Sequence, residues 1–193
     1  MTARFLIAGI LCLVSIDGAT QQAAPVAMSQ AEIKQSLAAA LTGSWTGVLE
    51  YRDYQSDGRV KLPTWLMVSP DGAVLRFNYI YDDGPTKTVT EASRVTIDAD
   101  KSTWTIISSD PKDAPDVAVI DGLTRLKNGR GVLVLTGKGT DNNKPADVRT
   151  TIRVGRNILE ITRETKQVGE EFKFRHAYTF TRSAPPAGPV VTR

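Results

Sequence analysis

The sequence predicts an all-β protein: a single antiparallel up-and-down β-barrel of about ten strands with one N-terminal helix. Three observations predict it. Short stretches of alternating apolar and polar residues, the period of a half-buried strand, fill the chain from Gly43 to Arg182. Short, turn-like segments join them, so sequence neighbours should pair antiparallel. No helical stretch comes between the strands, which excludes a parallel α/β sheet. A meander of this number either closes or leaves two exposed edges, and closure removes the edges. A two-sheet sandwich is the main competing arrangement.

Residues 1–24 read as a signal peptide and leader. Arg4 precedes an unbroken apolar run from Phe5 to Ile16, and small residues follow. The run is shorter than the roughly 20 apolar residues of a membrane span. The expectation is therefore an exported chain, periplasmic or secreted in a bacterial context, and not transmembrane after cleavage. An uncleaved anchor is the alternative. Cys12, the only cysteine, lies inside the run behind Gly9-Ile10-Leu11, which lacks the small residue of a lipoprotein site. A mature chain without it has no disulfide and no thiolate chemistry.

Residues 25–42 read as a linker and a capped helix. Ser29 and Glu32 have the spacing of a capping box. Ile33, Leu37 and Leu41 follow at helical spacing on one face, which should cover one end of the barrel. The helix should run from about Gln30 to Leu41 and stop at Gly43.

The barrel domain spans 43–182. In the first strand Trp45, Gly47, Leu49 and Tyr51 share a face. Ser56-Asp57-Gly58 turns into a strand with Val60, Leu62, Thr64, Leu66 and Val68 on one side. Pro70-Asp71-Gly72 is a hairpin signal, and Asp82-Asp83-Gly84-Pro85 closes the third strand. The fourth and fifth strands flank Ala99-Asp100-Lys101. The sixth is expected over 117–126 and the seventh over 131–136, with 139–145 a polar loop. The last three strands fall over 148–154, 158–165 and 172–181, and 183–193 should be a disordered tail.

Function is less legible. The net charge of +3 comes from scattered Lys and Arg with no basic run, so nucleic acid is not an expected partner. One histidine excludes a multi-His metal site, and no hydrolase or phosphate-loop motif occurs. No catalytic constellation emerges. Oxygen-rich loops such as Asp141-Asn142-Asn143 lack EF-hand spacing and are read as turns.

Leu41-Thr42-Gly43-Ser44-Trp45-Thr46-Gly47 resembles the Gly-x-Trp opening of the lipocalin and calycin superfamily. That resemblance implies a barrel holding a hydrophobic ligand in a central cavity. Trp45 itself is expected to plug a barrel end. In the final strand Phe172, Phe174, His176, Tyr178 and Phe180 alternate with polar residues, so His176 should face inward. An inward imidazole is either a hydrogen-bonded core histidine or, as in nitrobindins, an axial haem ligand. The chain resembles those ten-stranded haem barrels in its late histidine. It departs from their glycine-rich first strand, since Val48-Leu49-Glu50-Tyr51 follows Gly47. Glu91 and Asp121 are further inward candidates, with Arg76 as a partner.

The expected function is binding of a small apolar or amphipathic ligand by Leu49, Tyr51, Phe174, His176, Tyr178 and Phe180. No cofactor is expected on this reading; the haem reading rests on His176. A side-chain-filled barrel serving interaction is the other alternative, since three Trp, five Tyr and five Phe suffice to fill a small lumen.

Overall fold

A computed structural model describes residues 28–56, 58–110 and 112–183. The expected signal segment, Asp57 and most of the expected tail lie outside these residues. Ten antiparallel strands form a closed barrel, each paired with its sequence neighbours, and β1 pairs with β10 to complete the ring. The strands are β1 (Gly43–Arg52), β2 (Arg59–Asp71), β3 (Val74–Asp82), β4 (Thr88–Asp98), β5 (Thr103–Ser108), β6 (Asp116–Asp121), β7 (Gly131–Asp141), β8 (Lys144–Val154), β9 (Ile158–Lys166) and β10 (Lys173–Arg182). Among the described residues no helix is long and apolar enough to cross a membrane.

The helix α1 spans Gln30–Leu41, as its local signals predict. Glu32 N–H donates to Ser29 Oγ, and Ser29 N–H donates to Glu32 Oε2 at 2.8 Å. Ile33, Leu37 and Leu41 are buried in one core with Trp45, Leu66, Leu133, Leu159 and Phe180. The helix therefore closes one barrel end, and each such burial stabilises by roughly 1.5–3 kcal/mol.

Trp45 locks this end. Its Nε1–H donates to Leu41 O at 2.9 Å. Arg182 lies 4.1 Å from its ring centroid. From there Arg182 donates to Thr42 O and Ala40 O, both at 2.7 Å, and to Arg156 O at 3.2 Å. A cation thus satisfies carbonyls at the helix C-terminus. Gly43, at φ 134, supplies a backbone conformation that side chains rarely adopt, and a Cβ there would collide with Arg182.

Three local expectations are corrected. β7 and β8 continue through the expected polar loop to a tight hairpin, with Asn142 at φ 48 and Asn143 at φ 62. Two consecutive left-handed residues make the turn that matches strand twist, and Asn tolerates them. β6 ends at Asp121, because Gly122 at φ 101 starts a 3-10 turn over Leu123–Arg125. In β10 a bulge intervenes: Phe174 pairs with Glu164 and His176 with Arg163, leaving Arg175 as the extra residue. A bulge exchanges the faces on either side of it.

Candidate functional site

Above the closed end the lumen widens into a cavity of about 330 Å³. Phe77, Val95, Trp104, Ile106, Leu135 and Ile152 form its apolar floor and walls. Alternation on five strands places them inside, and all but Ile106 are buried. Glu91, Asp116, Arg163, His176 and Tyr178 bring polar groups to the same cavity, with Ser93 and Thr150.

No residue of β1 or β2 lines the cavity. The reason is a contact across the lumen. Tyr81 Oη and Tyr178 Oη lie 3.0 Å apart, joining β3 to β10 over the two strands between them. Tyr81 donates to Glu91 Oε2 at 3.1 Å. With that proton committed, Tyr178 donates to Tyr81, so Tyr178 Oη offers the cavity lone pairs only. Burial, with the Glu91 charge adding to it, pushes the Tyr178 hydroxyl up to about 12, so it stays protonated. Tyr79 stacks on Tyr81 at 5.9 Å and tilts against Tyr178 at 5.3 Å.

On the opposite side Arg163 Nη1 reaches Asp116 Oδ2 at 3.3 Å, joining β9 to β6. It passes β7 beside Gly139, where an added Cβ would lie 3.5 Å from Arg163 Nη2 and 2.9 Å from Val148 Cγ2. The close approach there is that of Val148, and the guanidinium has ordinary van der Waals room.

His176 faces the cavity, as expected from its strand. Its ring stands edge-on to Tyr178 at 5.5 Å, and neither nitrogen has a hydrogen-bond partner among the described residues. Burial, and then the charges of Arg163 and Arg175, push its pKa down to about 4. The imidazole is neutral at physiological pH, with one free N–H and one free lone pair. Trp104 Nε1 is likewise buried without a partner among the described residues.

The other expected ligand contacts fare differently. Phe180 is wholly buried in the closed end and stacks on Tyr178 at 5.6 Å, beneath the cavity. Leu49 and Tyr51 stand half-buried on β1, behind the tyrosine bridge. Phe174 does not face the lumen. The bulge turns it outward, under Arg59 at 3.9 Å, and Arg59 pairs with Glu50 on the outer face. Arg175 turns in instead, towards Asp141 at 3.9 Å and over the Tyr54 ring at 4.4 Å. Glu91 lines the cavity as expected. Asp121 does not; it is exposed and paired with Arg125, because Ile120 and Ala118 set the inward parity of β6. Arg76 pairs with Asp71 in solvent.

Asp116 and Arg163 are cavity residues that the sequence reading missed. Arg163 carried a signal, since it keeps the parity of Leu159 and Ile161. Asp116 carried little, because Val117 and Val119 make the outward face of β6 the more apolar one.

No protein-family model matches this sequence, and no curated protein matches it. Solved structures do. Rv2717c from M. tuberculosis superposes with a TM-score of 0.56 at 14% identity, covering 79% of this chain and 98% of that one. The S-type phycobiliprotein lyase CPES from Guillardia theta superposes with a TM-score of 0.54 at 11% identity, covering 82% and 94%. At these identities the likeness is one of fold, and it runs the length of the barrel.

Proposed function

We propose that this protein is a binding barrel for a small amphipathic molecule, acting by binding and not by catalysis. One observation carries the reading: the lumen holds a cavity of about 330 Å³ with an apolar floor and a few convergent polar groups. That is the size and composition of small-molecule sites. The cavity also weighs against a barrel packed solid with side chains. His176, Tyr178, Glu91 and Arg163 are the orienting groups, and the apolar floor takes the body of the ligand. Residues 1–24 support export to a periplasmic or secreted location.

A second reading is favoured by the neutral, unpartnered His176. Such a nitrogen fits an axial ligand to haem iron, and aromatic walls suit a porphyrin. On that reading His176 would hold the iron, and the haem would supply redox or small-gas chemistry.

Purified protein tests both. Organic extraction and mass spectrometry should recover an amphipathic small molecule, and His176→Ala should weaken its binding while far-ultraviolet dichroism is unchanged. A Soret band lost in His176→Ala would establish the haem reading instead. Protein that retains nothing, and takes up neither apolar probes nor haem, would overturn both.

A further inference from the structure

We infer that the cavity selects a ligand with a cationic head, an alkylammonium group on an apolar body. This rests on the binding-barrel reading and specifies its ligand class.

The argument starts from charge. Glu91 and Asp116 are the carboxylates of the cavity lining, and Arg163 is its guanidinium. Arg163 is already paired with Asp116. Glu91 has no ion-pair partner among the described residues, and its one hydrogen bond comes from the neutral Tyr81 hydroxyl. His176 is uncharged. The lining therefore carries one uncompensated negative charge, on Glu91 of β4, which stands exposed at the rim of the cavity.

The surroundings of that charge match a cation in a second way. Glu91 is the register partner of Tyr79. Tyr79, Tyr81 and Tyr178 cluster beside it, with centroids 5.3–6.5 Å apart. Ring faces attract ammonium groups, and clusters of them recognise quaternary ammonium in particular. The hydroxyl relay adds a third match. Tyr178 donates to Tyr81 and Tyr81 donates to Glu91, so neither of these two hydroxyls has a proton left for a ligand. That pair suits N–H or N–CH₃ groups. Below it Val95, Ile106 and Leu135 can take an alkyl chain.

The test uses chain-matched amphiphiles below their micelle concentrations. Dodecyltrimethylammonium, dodecanol and dodecanoate compete for the full-length protein loaded with N-phenyl-1-naphthylamine. The expected order is ammonium, then alcohol, then carboxylate. Glu91→Gln should weaken the ammonium by about threefold to fivefold and leave the alcohol unchanged. Tyr79→Leu provides an independent arm and should also cost the ammonium more than the alcohol. Equal or tighter binding of dodecanoate, or an unchanged ammonium affinity in folded Glu91→Gln, would overturn the inference but leave a binding barrel. If folded protein takes up neither the probe nor any of the three, the binding reading falls as well.

Discussion

The two ends of this barrel are made by the same strands and obey opposite rules. At the closed end every strong polar group has a partner. Trp45 Nε1, the helix C-terminal carbonyls and the Arg182 guanidinium satisfy one another around a dry core. At the cavity, His176 and Trp104 Nε1 have no hydrogen-bond partner among the described residues, and Glu91 stands exposed at the rim. Saturated polar groups over buried apolar area hold a fold together. Unsaturated ones in a cavity cost stability, and they leave capacity for a ligand. The lesson is that stability and recognition are separated along the barrel axis, so they should separate in experiments.

The largest expected effect breaks the closed end. Trp45→Ala removes a wholly buried ring and its hydrogen bond and should destabilise by about 3–5 kcal/mol in denaturant unfolding. Affinity per folded molecule should stay the same. Near-normal stability with lost binding would reverse the assignment of the two ends.

A smaller effect exposes the cavity end through pH. In the native state His176 resists protonation down to about 4, whereas the unfolded chain takes the proton near 6.5. Between those values the unfolded state binds more protons, so stability falls as the pH falls. It is full above about 6.5, and the loss reaches about 3 kcal/mol near pH 4. His176→Gln should flatten the slope between pH 6.5 and 4.5, above the range where most carboxylates titrate. An identical slope in the variant would place His176 in solvent.

The smallest effect sharpens the contrast. Arg182→Ala removes two helix-capping hydrogen bonds and a ring contact at the closed end, for about 2 kcal/mol. It should lower the melting temperature without altering the pH slope or ligand affinity. A change in either would mean that the two ends are coupled.

The sequence exposed the closed end far better than the cavity, and the reason is range. The capping box, the spacing of Ile33, Leu37 and Leu41, and the Gly43-Ser44-Trp45 opening are local signals. The inward face of His176 was legible because it lies beyond the bulge. Phe174 was misplaced because a bulge is decided by the partner strand, here through Glu164 and Arg163. The cavity rests on contacts such as Tyr81 with Tyr178, 97 positions apart, and Arg163 with Asp116, 47 apart. Periodicity can show that Arg163 and Tyr178 face inward, but not which residue on another strand each one meets.

The closed ring has one more consequence. β1 begins and β10 ends at the same pole, where Arg182 grips the Thr42 carbonyl and Ser183 N–H donates to Ser44 O at 2.9 Å. The described chain therefore enters and leaves the barrel at the pole opposite the cavity. A tether at either terminus, whether a membrane anchor or a fused domain, would hold the barrel like a cup by its base, with its mouth turned away from the attachment.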